Sequence, residues 1–158
     1  MGGRDAVRMT PEEVADFLAS QRKVQVATVG PDGAPHLTTL FYVVDDGRIA
    51  FWTYAKSQKV RNLERDPRIT CLVEDGTSYD ELRDASLTGT AVLVRDPDAV
   101  RRVGAAVVAR MAGVGSLDEL GELGHAEVER QVAKRVVVVV EAAHVASWDH
   151  AKPARAQT

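Results

Sequence analysis

Residues 54–68 read YAKSQKVRNLERDPR. Five cations (Lys56, Lys59, Arg61, Arg65 and Arg68) stand there against Glu64 and Asp66, a local charge of +3 in a chain that is formally −3. Ser57 is a candidate N-cap, and Val60 and Leu63 share the inward face of a short helix. Pro67 stops that helix and biases Asp66 toward extended backbone. A helix start offers free backbone N–H groups and the positive end of the dipole. With the Ser57 hydroxyl and the ammonium groups of Lys56 and Lys59 added, the chemistry on offer is a phosphate cradle. The charge pattern by itself also describes a solvated helix whose cations merely balance Glu64 and Asp66.

The flanking residues extend the first reading. Trp52, Thr53 and Tyr54 end a strand immediately before the cradle, and Thr38 and Thr39 lie midway along the strand before that. A flat ring lying on this strand pair would meet threonine hydroxyls and backbone amides while its phosphate reached the helix start. Taken singly, Trp52 also suits a core and the threonines suit β-structure. Other chemistry is missing. GxGxxG, Walker A, HExxH and GxSxG patterns are absent, and His36, His125, His144 and His150 have no metal-ligand spacing, so no metal site is expected. Cys71 sits inside a strand pattern as a small core residue. An enzyme built on this sequence would rely on a cofactor for its reactive atom.

The elements that must position these residues are mostly strands. Thr10, Pro11 and Glu13 form a helix start with a capping box, followed by the stripe Val14, Phe17, Leu18. The period then changes to two. Val24, Val26 and Thr28 alternate in a first strand; Leu37, Thr39, Phe41 and Val43 share a face of a second; Ile49, Phe51 and Thr53 share a face of a third. The turns GPDG and DDG between them are too short for crossovers, so this is an antiparallel meander. RITCLVED and DASLTGTAVLV are two further strands, with Gly89 marking a bulge or a close backbone approach. A helix follows with Val100, Val103, Val107 and Met111 on one face and Arg101, Arg102 and Arg110 on the solvated side. A weaker, broken helix opens at Ser116–Glu119, and KRVVVVVEAAHVASWD is the last strand. That makes a mainly β domain of six strands with peripheral helices, closed toward a barrel to remove its edges.

The 158 residues suit one domain, with mobile tails expected up to about residue 8 and from about 154. One cysteine excludes an internal disulfide framework and fits a reducing compartment. No h-region, myristoylation pattern or apolar run of about 20 residues appears, which reads as a soluble cytoplasmic protein. A pI near 5.8 argues against general nucleic-acid binding.

The stretch VATVGPDGAPHLTTLFYVVDDGRIAFWTYAKSQKVRNLERDPRITCLVED resembles the split-barrel flavin-binding superfamily of pyridoxamine 5'-phosphate oxidases. Within it, the sequence looks like the actinobacterial branch that uses the deazaflavin F420. KSQKVRNLERDPR is the specific part, and SWDHAKP resembles the tail of that branch. The resemblance implies a six-stranded antiparallel split barrel, a homodimer with cofactor sites at the interface, a small-molecule substrate, and hydride transfer between reduced F420 and an organic acceptor. Related FMN oxidases hold the flavin phosphate with an aromatic–Thr pair and an Arg–Lys pair. Here those positions are Trp52–Thr53 and Gln58–Lys59. Gln58 removes one cation, which favours F420 over FMN. Lys56, Lys59 and Arg61 would suit the phosphodiester and polyglutamate tail of F420. His36, Thr38 and Thr39 would support the ring edge, and Tyr79 would approach from the interface. Trp148 and His150 either cover the partner's cofactor or form a C-terminal clasp, with Asp149 and Lys152 exposed. The resemblance leaves two alternatives: an FMN-dependent oxidase, and a barrel that binds a cofactor or tetrapyrrole without turnover.

Overall fold

The computed structural model describes residues 3–155. Helices α1 (Gly3–Val7) and α2 (Pro11–Ser20) precede β1 (Lys23–Val29), β2 (Pro35–Phe41), β3 (Val43–Asp45) and β4 (Arg48–Tyr54). Helix α3 (Gln58–Arg65) leads into β5 (Arg68–Asp75) and β6 (Arg83–Val94). Helices α4 (Pro97–Ala112) and α5 (Gly121–Val132) come before β7 (Arg135–Asp149), and α6 (Lys152–Arg155) follows. The strands make one antiparallel sheet in the order β2-β1-β5-β6-β7-β4-β3. Its two edge strands, β2 and β3, are consecutive in the chain and separated by Tyr42 alone. The sheet therefore curls into a half-barrel whose edges meet at one residue.

Six strands were expected; there are seven, because the second expected strand divides at Tyr42. Leu37, Thr39 and Phe41 belong to β2, and Val43 belongs to β3, which pairs with β4 instead of β1. Tyr42 turns this corner with its side chain fully buried. Its backbone N–H donates to Arg22 O (3.0 Å) and its hydroxyl to Leu18 O (2.5 Å), and burial pushes the phenol up to about 12.

The inner face of the curl is packed with Val24 and Val26 (β1), Ile49 and Phe51 (β4), Cys71 and Val73 (β5), and Val138 and Val140 (β7). Phe17 and Leu18 from α2 and Leu63 from α3 close this cluster. Helices α4 and α5 build a second cluster on the outer side of β4 and β7, around Ala50, Trp52, Val137 and Val139. Strand β4 is thereby buried on both faces, which is why its interior reads IAFWT with no charge.

The α2 capping box, the positive φ of Gly33 (84°) and the end of α3 before Asp66 match the sequence reading. Gly89 is both things expected of it. The β6–β7 register shifts at Thr88/Gly89, and a Cβ there would lie 2.0 Å from Glu141 O. The weak helix is broken, as expected: a 3₁₀ turn (Leu117–Leu120) precedes α5.

Three surface expectations change. Met111 is 52% exposed, in the last turn of α4. Arg110 reaches back to the carbonyls of Ala19 (3.1 Å) and Gln21 and lies over the Tyr42 ring, locking the barrel seam. Asp149 is 5% exposed; it accepts from Ala151 N (3.0 Å) and pairs with Arg155, while Lys152 pairs with Glu13 (2.6 Å). Both terminal stretches are helical where described, at Gly3–Val7 and Lys152–Arg155; residues 1–2 and 156–158 lie outside the described residues.

Candidate functional site

Helix α3 leaves β4 through a tight turn in which Ser57 N donates to Tyr54 O (3.0 Å). Ser57 occupies the N-cap with extended backbone (φ −69°, ψ 157°), as its residue type predicts. Its hydroxyl, however, makes no capping bond and is buried without a partner. Leaving a buried hydroxyl unpaired costs about 1–3 kcal/mol. The first N–H groups of α3 are also left without a side-chain cap.

Lys59 rises from the first turn, and its Nζ donates to Thr53 Oγ1 (3.3 Å) on the end of β4. Partial burial, and then the nearby positive charge of Arg135, lower the Lys59 pKa. Among the described residues neither cation has an ion-paired carboxylate. Arg135 starts β7 directly opposite Tyr54, and its guanidinium lies over the rings of Trp52 (4.6 Å) and Tyr54 (4.1 Å). Its pKa is lowered too, by burial first. Sequence reading missed Arg135 because it lies 76 positions after Lys59; only the β4–β7 pairing brings them together.

Gln58 departs from the anion role in its geometry as well as its charge. Its amide turns along the helix and donates to Asn62 Oδ1 (2.8 Å). Asn62 is fully buried and donates to Thr28 Oγ1 (3.0 Å) on β1. Arg65 donates to Val29 O (2.5 Å) and to Asn62 Oδ1 (3.3 Å). These bonds fasten α3 across one end of the barrel, with Val60 and Leu63 beneath it. Lys56 and Arg61 are exposed on the same helix and its approach.

Strand β2 carries the next residues expected at the site. His36 pairs in register with Thr28, and Thr38 with Val26, so both side chains share the inner side of the β1–β2 ladder. His36 Nδ1 and Thr38 Oγ1 are buried without partners. Thr39 points to the opposite face and is exposed beside Leu37. Four buried side-chain polar atoms lack a partner among the described residues, and three of them are on His36, Thr38 and Ser57. Native interiors satisfy nearly all such atoms, so these three are open to hydrogen bonds from water or a ligand.

The remaining residues lie elsewhere in the chain's own fold. Trp52 packs on α4, its ring where a Cβ on Gly104 would lie (2.3 Å from Cζ3). Tyr79 follows the far end of β5 from α3; it is 71% exposed and its ring meets that of His150 (4.5 Å). Trp148 lines a groove under α1 and α2 with Arg4, Arg8, Met9 and Val14. Cys71 is buried and its thiol is pushed up to about 12, which makes it inert. Among the described residues no cluster of His, Cys, Asp and Glu that could hold a metal ion occurs, and no helix is long and apolar enough to cross a membrane.

The arrangement combines free amides, an unused hydroxyl and a fixed ammonium at one helix start, with further unpartnered polar atoms on β2. It suits an elongated ligand with an anionic group at one end and hydrogen-bonding edges further along. Comparison with known proteins identifies the family. The chain resembles the conserved hypothetical protein Rv2991 from Mycobacterium tuberculosis, at 43% identity over 96% of this chain and 92% of that one (TM-score 0.85). It shares the fold of an F420 reductase (22% identity, 82% and 93% covered, TM-score 0.56) and of a FAD-binding protein from Mesorhizobium loti (17%, 89% and 94%, TM-score 0.65). None of the curated proteins matches. Residues 10–149 match the pyridoxamine 5'-phosphate oxidase family, so a curled antiparallel sheet with this helix start makes the chain a member of that split-barrel family.

Proposed function

We propose that the protein is an F420-dependent oxidoreductase that passes a hydride between the reduced deazaflavin and a small organic acceptor. The observation that carries this reading is the start of α3, where one fixed ammonium, Lys59, stands beside an unpartnered Ser57 hydroxyl while Gln58 is turned away toward Asn62. A phosphomonoester such as that of FMN carries about 1.5–2 negative charges at neutral pH. A phosphodiester carries one, and the single helix-borne cation in contact with the strand end matches it.

Ser57, Lys59 and the first amides of α3 hold the phosphate, and Thr53 fixes the Lys59 ammonium in place. His36 Nδ1 and Thr38 Oγ1 receive polar edges of the ring system, which satisfies atoms otherwise buried unpaired. Lys56 and Arg61, exposed on the same face of approach, attract the anionic tail. The bound deazaflavin supplies two-electron hydride chemistry. The chain's own contribution is to orient the reacting partners and exclude water. The site is completed by a second copy of the chain across the exposed outer sheet face that carries Leu37 (66% exposed) and Thr39, which brings the partner's Tyr79 end toward it.

Equilibrium binding of F420 and of FMN, each followed by its own fluorescence, tests the reading. F420 should bind more tightly. Micromolar FMN binding with no detectable F420 binding would transfer the proposal to an FMN enzyme.

A further inference from the structure

Arg135 also closes the end of a groove that the cofactor cradle does not use. The groove, of about 520 Å³, runs between α4, α5 and the β2–β4 corner, and its walls are Leu40, Phe41, Trp52, Val107, Val108 and Met111. That volume falls within the range of small-molecule sites, roughly 300–1,000 Å³. Met111 leaves 52% of its surface in water there, on a helix whose Val100, Val103 and Val107 are buried. An exposed methionine over an aromatic and aliphatic lining is an adaptable apolar wall.

The charge at its end is unusual for such a lining. The Arg135 guanidinium is half-buried over the Trp52 and Tyr54 rings, and its Nε donates to Gln131 Oε1 (3.1 Å). Among the described residues no carboxylate forms an ion pair with it. The one acidic residue lining the groove, Glu127, is engaged by Arg130 and by Gln131 Nε2 (3.0 Å). Lys59 adds a second positive charge from the other side of the strand end. A half-buried cation next to another cation, with no anion supplied by the described residues, favours an anion brought by a ligand. The guanidinium fork is pre-oriented by the rings, which suits the planar geometry of a carboxylate.

We propose that this groove is a binding site for a small organic acid with a flat apolar body, its carboxylate on Arg135 and its body between Trp52 and Met111. The inference uses neither Ser57 nor the helix amides, and shares with the cofactor reading only the positive charge of Lys59. It assigns the protein a ligand class: aromatic or similarly flat carboxylic acids.

The test uses 2-naphthoate and its uncharged counterpart 2-naphthamide, titrated into the full chain by calorimetry, with the indole N–H of Trp52 followed by NMR. 2-Naphthoate should bind and shift the Trp52 signal, and the amide should bind about tenfold or more weaker, since hydrogen bonds to charged groups contribute roughly 1.5–3 kcal/mol. Arg135→Gln should abolish the difference between the two probes, and Arg135→Lys should restore part of it. Ala112→Trp, at the exposed end of α4, should block both probes while leaving Arg135 in place. The proposal is overturned if the parent protein does not bind 2-naphthoate, if it binds acid and amide alike, or if Arg135→Gln keeps the preference. Thermal melts establish that each variant is folded. Since no cofactor is added, the F420 and FMN titrations succeed or fail separately.

Discussion

At the scale of single residues, the site rests on Lys59 and on what Gln58 does not do. Lys59→Ala should weaken F420 binding about tenfold to a hundredfold, because a charge-assisted contact contributes roughly 1.5–3 kcal/mol. Its effect on a phosphate-free deazaflavin should be small, which separates phosphate binding from a general loss of structure. Arg65, although only six residues on, is no neutral control, since it ties α3 to the Val29 carbonyl. Gln58→Arg makes the opposite prediction. It restores a second helix-borne cation and frees Asn62 of one donor, so FMN affinity should rise relative to F420 in fluorescence titrations. Unchanged selectivity in that variant would remove Gln58 from the account of cofactor choice.

At the scale of elements, α3 matters as a plug whose polar seam fixes where the cradle points. Asn62 is the centre of that seam, with Gln58 and Arg65 donating to it and Thr28 accepting from it. Asn62→Leu leaves the Thr28 hydroxyl buried without that donor. It should cost about 1–3 kcal/mol in urea unfolding and weaken cofactor binding as well. If Asn62→Leu unfolds with the parent's midpoint, the seam is not what holds the helix. The contact between α4 and β4 makes a separate prediction. A methyl group at Gly104 would meet the Trp52 ring at 2.3 Å, and the Arg135 guanidinium lies over that same ring. Gly104→Ala should therefore destabilise by about 1–3 kcal/mol, the usual range for overpacking, and shift the tryptophan emission. A variant with parental stability and emission would mean that the helix moves aside freely.

At the scale of the whole molecule, the half-barrel leaves one sheet face uncovered, and Leu37 and Thr39 lie on exposed strand positions of that face. Pairing of two copies there should give a light-scattering mass about twice the 17.1 kDa of one chain. Leu37→Arg, with its charge placed on that face, should shift the mass toward one chain and lower cofactor affinity together. Full-affinity binding by a monomer would place the complete site within a single chain.

The sequence by itself determined the local pieces. Alternation in KVQVATV, turn residues in GPDG and DDG, the capping box at Thr10, Ser57 before α3 and Gly89 at the bulge each carry their geometry within a few residues, where sterics and backbone hydrogen bonding decide. The family resemblance lay in the same kind of contiguous stretch. Only the tertiary structure decided what depends on distant partners. Tyr42 splits a strand that alternation reads as continuous, because the curled sheet must close there and Leu18 and Arg22 wait to receive it. Met111 continues the apolar period of α4 but faces an open groove and stays 52% exposed. Arg135 joins Lys59 because β7 returns beside β4, and no spacing rule connects positions 76 residues apart. Local pattern fixes which face a residue takes along its own element; the pairing of strands far apart in the chain fixes what that face meets.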